Sequence, residues 1–204
     1  LKTKYFFYYY PTGLFHGMPV FLQIATIIIF GYSMWTYSQF NQLQSTAVVT
    51  GVIYGLIGTG GFVQVIGRQL SHYWFCNDFQ MARLSTIKVF RDALVFMGIL
   101  AVGLLVINFF ADFYPFRFLW IVFAYSYSIG ILLLFTAVFH PLKQRIIISF
   151  AFLFGLAVAL SLHLYTDLIT YYTHWIGIWS AITIMLVYLI IFFRRKVRST
   201  TNFS

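Results

Sequence analysis

Residues 118–139 read FLWIVFAYSYSIGILLLFTAVF and contain no charged side chain. An α-helix of this length is about 33 Å long, and the hydrocarbon core of a bilayer is about 30 Å thick. The run is followed by His140-Pro141 and then by Lys143 and Arg145. Because the residue before a proline disfavours the α conformation, we predict a transmembrane helix that ends near residue 139.

Five further apolar runs of about 20 residues have the same character. They cover residues 19–37, 46–66, 89–110, 146–165 and 175–193. With 61% apolar and 8% charged residues, the 204-residue chain differs from soluble domains, in which about 25% of residues are charged. We therefore expect an all-α, polytopic integral membrane protein with six transmembrane helices in a single membrane domain over residues 1–204.

Positive charges are distributed unevenly between the two sets of connections that alternate along the chain. Of the 13 Lys and Arg residues, only Arg117 falls in the set that is otherwise almost uncharged. The others are Lys2, Lys4, Arg68, Arg83, Lys88, Arg91, Lys143, Arg145, Arg194, Arg195, Lys196 and Arg198. Because basic residues resist translocation, we predict that both termini lie inside, in the mitochondrial inner membrane or the bacterial cytoplasmic membrane.

The longest predicted connection, residues 67–88, lies on the inside. Its apolar positions Leu70, Trp74 and Met81 recur at roughly helical spacing among charged residues. We expect an amphipathic segment along the inner membrane surface, broken near Asn77-Asp78, with these apolar side chains toward apolar surface. Its candidate contacts with lipid or with a partner subunit are Arg68, Trp74, Arg83 and Lys88.

The second run contains TGVIYGLIGTGG at residues 50–61. Gly51, Gly55 and Gly58 lie close to one helical face, which would let another helix approach the backbone closely. Gly177 and Ala181, four residues apart in the sixth run, predict a second packing face. The alternative for the second run is local unwinding at residues 58–61, as in the broken helices of transporters.

The sequence contains no catalytic motif, and we expect no catalytic, cofactor-binding or metal site. The four acidic residues are all Asp and avoid the centres of the predicted spans, where ion transporters carry ionisable groups. His163, Asp167 and His174 lie near one predicted outer surface, and whether they meet is left open. The cations are dispersed over four inside segments rather than gathered on one face, which argues against nucleic-acid binding.

Two functions are compatible with these features. The first is a non-catalytic multi-pass subunit of a larger membrane complex in an energy-converting membrane. Such a subunit has a structural or assembly role and contacts membrane lipids and other membrane-protein subunits. The alternative is a transporter or half-transporter, of the flippase or exporter kind, for a lipid-linked or polysaccharide substrate.

Overall fold

The computed structural model describes residues 42–112, 115–166 and 170–201, and within these ranges the chain forms five α-helices. We number them α1 (Gln42–Phe75), α2 (Phe79–Ala111), α3 (Phe116–Phe139), α4 (Arg145–Tyr165) and α5 (Thr170–Thr201). All five are long and apolar enough to cross a membrane, so the prediction of an all-helical fold is confirmed for the described ranges, and these helices are consistent with a membrane protein. The first predicted span, 19–37, lies outside the described residues, and six spans with both termini inside remain a prediction.

The centre of the bundle is α3. Of the most apolar part of each helix, 61% is buried in α3, against 11% in α2 and 17% in α4. α1 packs most extensively against α3, α4 packs mainly against α5, and α5 also contacts α3. The third described helix therefore joins an α1–α2 hairpin to an α4–α5 hairpin.

The turn between α1 and α2 occupies residues 76–78. Asn77 adopts a left-handed conformation with φ of 56°, which asparagine tolerates better than most residues. Asp78 caps α2, because its carboxylate accepts a hydrogen bond of 3.0 Å from the Met81 backbone N–H. These local features reverse the chain and confirm the predicted break near Asn77-Asp78.

The turn between α3 and α4 is equally local. α3 ends at Phe139 with His140 as its C-cap, which confirms the predicted end of the helix, although His140 itself keeps an α conformation before Pro141. Lys143 takes a left-handed φ of 57°, and the Gln144 backbone N–H donates to the Phe139 carbonyl at 3.1 Å. The chain therefore reverses within a few residues, and α4 begins at Arg145.

The expectation of a separate surface segment at residues 67–88 is wrong. Residues 67–75 continue α1 and residues 79–88 begin α2, with only the short turn between them. At a rise of 1.5 Å per residue, α1 is about 51 Å long and α2 about 50 Å, well beyond the hydrocarbon thickness of about 30 Å. Residues 67–75 and 79–88 therefore belong to the two long helices and do not form a separate segment.

The turns that carry most of the charge lie together at one end of the bundle. The Tyr188 hydroxyl of α5 donates to Gln144 Oε1 at 2.8 Å, and Phe192 of α5 stacks on Trp74 of α1. These contacts gather the α1–α2 turn, the α3–α4 turn and the C-terminal turns of α5. We call this the basic end. Its described cations are Arg68, Arg83, Lys88, Arg91, Lys143, Arg145, Arg194, Arg195, Lys196 and Arg198.

Candidate functional site

The residues predicted from the sequence to form a contact surface lie at the basic end, but they are not all exposed. Arg68 on α1 and Arg83 and Lys88 on α2 have exposed side chains. Trp74 is partly buried and contacts other helices. The three cations are therefore available to a ligand, whereas the indole is used within the chain.

Trp74 belongs to an aromatic clamp formed with Phe79, Phe192 and Lys196. Its ring centroid lies 4.9 Å from that of Phe79 and 5.8 Å from that of Phe192, with the second pair stacked. The Lys196 ammonium lies 5.8 Å from the Trp74 centroid and 5.6 Å from the Phe79 centroid, within cation–π range. The clamp holds the end of α5 against the tip of the α1–α2 hairpin.

Among the other apolar residues of this region, Leu70 departs from expectation and Met81 does not. Leu70 is 1% exposed and lies in the main hydrophobic core, so it faces protein rather than an apolar surface outside the chain. Met81 is exposed, and so are Phe75 and Cys76 at the hairpin tip. The tip therefore presents an aromatic ring and a free thiol beside the cations.

A groove opens between α2 and α5 at the basic end, over the central helix. Its volume is about 350 Å³. We call it the α2–α5 groove, and the residues that line it include Arg83, Ile87 and Phe90 of α2, Phe135 of α3, and Ile190 and Arg194 of α5. The Phe90 and Phe135 rings meet edge to face at 5.0 Å and close its floor. The result is an apolar slot with an arginine on each wall.

Gly51 and Gly55 of α1 lie directly against the backbone of α3. A Cβ atom placed at Gly51 would be 2.7 Å from the Val122 carbonyl oxygen, and one at Gly55 would be 2.8 Å from the Ser126 carbonyl oxygen. Neither distance leaves room for a carbon atom. Small residues at these positions permit the close approach of two helices, which is favourable in a membrane because packing drives association there.

A second close contact joins α4 to α5. Gly155 and Gly177 face each other, because a Cβ at either one would lie 2.6 or 2.7 Å from the carbonyl oxygen of the other. Ala159 and Ala181 flank the pair, with Cβ atoms 2.8 and 3.1 Å from those positions. Gly177 and Ala181 were candidates from the sequence, and the structure places them in this contact.

Gly58 lies where α1 meets α2. Its nearest neighbours are side-chain atoms, Met97 Cγ at 3.3 Å and Leu100 Cδ1 at 3.5 Å from an added Cβ. α1 is helical throughout residues 58–61, so the alternative of local unwinding there is not observed. Gly130 of α3 completes the junction, because a Cβ there would meet Met97 Cε at 2.7 Å and Thr59 Cγ2 at 3.0 Å.

Polar contacts join α3 to α5 nearer the opposite end of the bundle. The Trp175 indole N–H donates to Ser128 Oγ at 2.7 Å, and the Tyr125 hydroxyl lies 3.2 Å from His174 Nδ1. His163 lies near the end of α4, and Asp167 is outside the described residues. Among the residues that the structure describes, no group of three His, Cys, Asp or Glu side chains is placed to hold a metal ion.

Several hydroxyls within the spans bond to their own helix. Thr59 donates to the Gly55 carbonyl at 2.7 Å, Thr86 to the Ala82 carbonyl at 2.8 Å, and Ser128 to the Ala124 carbonyl at 2.6 Å. Each bond connects residues one turn apart and satisfies a polar group that lipid could not. These hydroxyl protons are therefore used locally instead of pointing into a polar pathway.

Sequence reasoning missed Gly155, Gly130 and the α2–α5 groove. A signal existed for the first, because Ala151, Gly155 and Ala159 repeat small residues at intervals of four along α4. Gly130 stands among larger apolar residues and its partners belong to other helices. The groove depends on the spacing of three helices, which no local pattern records.

Comparison with known protein families, with curated protein sequences and with solved structures found no match.

Proposed function

We propose that this chain is a non-catalytic multi-pass subunit of a larger membrane complex, with a structural or assembly role. The observation that carries the proposal is the exposed tip of the α1–α2 hairpin. The Phe75 side chain is 79% exposed. It lies about 10 Å beyond Arg68 along α1, closer to the hairpin turn than this cation. An aromatic ring exposed beside cations is typical of a protein contact, where aromatic and arginine side chains are enriched.

The interior of the bundle supports the same proposal. The hydroxyls of Thr59, Thr86 and Ser128 donate to their own helices. α1 continues as a helix through its glycine-rich stretch. Transporters of the broken-helix kind instead place free backbone groups and polar side chains near the bilayer midplane. The alternative, a transporter or half-transporter for a lipid-linked or polysaccharide substrate, is therefore less well supported.

The orientation that belongs to this proposal places the basic end inside, in the mitochondrial inner membrane or the bacterial cytoplasmic membrane. Cys76 tests it without engineering, because it is the only cysteine of the chain and is exposed at the hairpin tip. A membrane-impermeant maleimide should label it only after the inside is opened to the reagent. Labelling of Cys76 in sealed, right-side-out membranes would show that the basic end lies outside, opposite to the proposed orientation.

The subunit role is tested by copurification after extraction in a mild detergent. We expect partners in constant stoichiometry with the wild-type chain, and their loss in Phe75→Ser with insertion unchanged. Phe116→Ser is the matched control, since Phe116 is also 79% exposed but lies at the start of α3, at the opposite end. Its partners should be retained.

Two results would contradict the proposed subunit role or its docking surface. Partners retained by Phe75→Ser would exclude docking through the hairpin tip. A chain that purifies alone, as a monomer or homodimer, and supports substrate-dependent flux after reconstitution would replace the subunit role by the transporter alternative.

A further inference from the structure

The two arginines of the α2–α5 groove lack an anionic partner within the chain as described. Asp78 caps α2, and Asp92 pairs with Arg91 at 3.0 Å, so the described carboxylates at the basic end are engaged elsewhere. Neither Arg83 nor Arg194 forms an ion pair in the described ranges. Two guanidinium groups on facing walls of one groove therefore create a local excess of positive charge.

The groove changes character with depth. Arg83 lies seven residues before Phe90 on α2, and Arg194 lies four residues after Ile190 on α5, so both arginines are at the end nearer the turns. From Arg83 to Phe90 the α2 wall extends about 10 Å toward the centre of the bundle. Thr86 also lines it, but its hydroxyl donates to the Ala82 carbonyl, which leaves the deep part effectively apolar.

An anionic phospholipid matches both parts of this surface. Arginine binds phosphate oxygens with two parallel N–H donors, and basic pockets between transmembrane helices are suited to anionic headgroups. A hydrocarbon chain fills an apolar slot that water has no polar partners to occupy. Charge at the rim and an apolar interior are both needed, and the α2–α5 groove has both.

We propose that the α2–α5 groove binds one anionic glycerophospholipid, with its phosphate between Arg83 and Arg194 and an acyl chain along Ile87, Phe90 and Ile190. The lipid would fill the groove that α2 and α5 leave open over the central helix. This inference does not depend on the proposed subunit role, because it concerns the isolated chain in a bilayer.

The test uses the full chain, purified and delipidated in detergent and then titrated with lipid in mixed micelles. Bound lipid is counted by native mass spectrometry. We expect one phosphatidylglycerol to bind with clear preference over phosphatidylcholine. Neither inorganic phosphate nor glycerol phosphate should displace it, because both lack the acyl chain.

Two kinds of variant distinguish binding of the lipid headgroup from binding of its acyl chain. Arg83→Gln with Arg194→Gln should weaken phosphatidylglycerol binding by about tenfold or more and remove the preference over phosphatidylcholine. The matched control is Arg68→Gln with Arg195→Gln, which removes the same charge from exposed positions of the basic end that do not line the groove. Ile190→Trp keeps both arginines but fills the slot, and should reduce binding of both lipids.

Four outcomes would overturn the proposal. If the variant Arg83→Gln with Arg194→Gln (the groove pair) bound phosphatidylglycerol as well as the wild type, the two arginines would not hold the headgroup. If Arg68→Gln with Arg195→Gln (the control pair) weakened binding equally, the effect would come from general surface charge. Displacement by inorganic phosphate would make it a free-anion site. Loss of a copurifying subunit from the groove pair, with lipid binding unchanged, would assign the groove to a protein.

Discussion

The α1–α3 and α4–α5 contacts both bring two backbones together, yet they are built differently. In the first, glycines on one helix, Gly51 and Gly55, face carbonyl groups of α3. In the second, each helix contributes a single glycine, and Gly155 and Gly177 face each other's carbonyl oxygens. In the α1–α3 contact most of the small residues belong to one motif on α1, with Gly130 of α3 beside Gly55, whereas the reciprocal α4–α5 contact divides them evenly between two helices.

The difference has a mechanical consequence. α1 packs along α3 over much of its length and also packs against α2. The displacement caused by a larger side chain on α1 is therefore spread over many neighbouring contacts. α4 depends mainly on α5, with few contacts to α3. The reciprocal contact should therefore be the more sensitive of the two.

The largest effect is expected from Gly177→Leu. Its Cβ would meet the Gly155 carbonyl oxygen at 2.7 Å and Ala159 Cβ at 2.8 Å, and neither can rotate away. We expect the free energy of unfolding to fall by about 3 kcal/mol, the upper end of the usual cost of overpacking, and α4 to separate from α5. Equilibrium unfolding in mixed micelles measures the loss of unfolding free energy. A lower yield of a non-disulfide crosslink between α4 and α5 reports the separation of the two helices.

The control for that variant is Ile176→Leu, an exposed position beside it on α5. Its effect should stay within about 0.5 kcal/mol. Equal stability of Gly177→Leu and Ile176→Leu would mean that the α4–α5 contact is not close-packed.

Next in size is Gly55→Leu, for which we expect a loss of about 1–3 kcal/mol, because α1 must move away from the Ser126 carbonyl. Gly61→Leu is a control on the same helix, since an added Cβ there has nothing within 4 Å. The comparison is made by unfolding in the same mixed micelles. If the two variants lose the same stability, the cost comes from replacing glycine and not from the contact.

A smaller difference should separate Gly55→Ala from Gly58→Ala. The first places a methyl group 2.8 Å from a backbone oxygen, whereas the second meets Met97 Cγ at 3.3 Å, an atom of a flexible side chain. We expect a loss of about 1 kcal/mol for the first and almost none for the second. Reversal of this order in detergent unfolding would contradict the distinction between backbone and side-chain neighbours.

The smallest effect is expected from Trp175→Phe, which tests the bridge between the two close contacts. The variant removes the indole N–H that donates to Ser128 Oγ at 2.7 Å. Hydrogen bonds between membrane helices average about 0.6 kcal/mol, so a loss of that order is expected. Trp120→Phe, at an exposed position of α3, provides the control. A loss no greater than that of the control would make the bridge energetically neutral.

Much of the described fold could be predicted from the sequence, because the signals concerned are local. The apolar run at 118–139 coincides with the helical segment Phe118–Phe139, and the run at 146–165 matches α4 within one residue. Both depend only on hydrophobicity and on the Pro141 and Lys143 that follow the first. The runs predicted at 46–66 and 89–110 lie within longer helices, because α1 and α2 continue through charged residues to the turn.

The candidate site was less predictable. Arg68, Arg83 and Lys88 are exposed cations, as their charge alone would indicate, since an unpaired charge is costly to bury. Trp74 was expected against an apolar surface, and the surface turned out to be Phe192 and Phe79 of the same chain. Phe79 follows Trp74 closely in sequence, but Phe192 belongs to another helix, and no local pattern indicates that contact.

Composition, the length of apolar runs and the placement of turn residues thus specify a helical membrane protein and where its described helices reverse. They do so because lipid requires each spanning helix to satisfy its own backbone, one segment at a time. Which glycines meet, which ring stacks on Trp74 and which two arginines share a groove follow from how the helices pack. Packing depends on distances between residues far apart in the chain, and a lone Gly155 or Arg194 acquires its role only when another helix lies beside it.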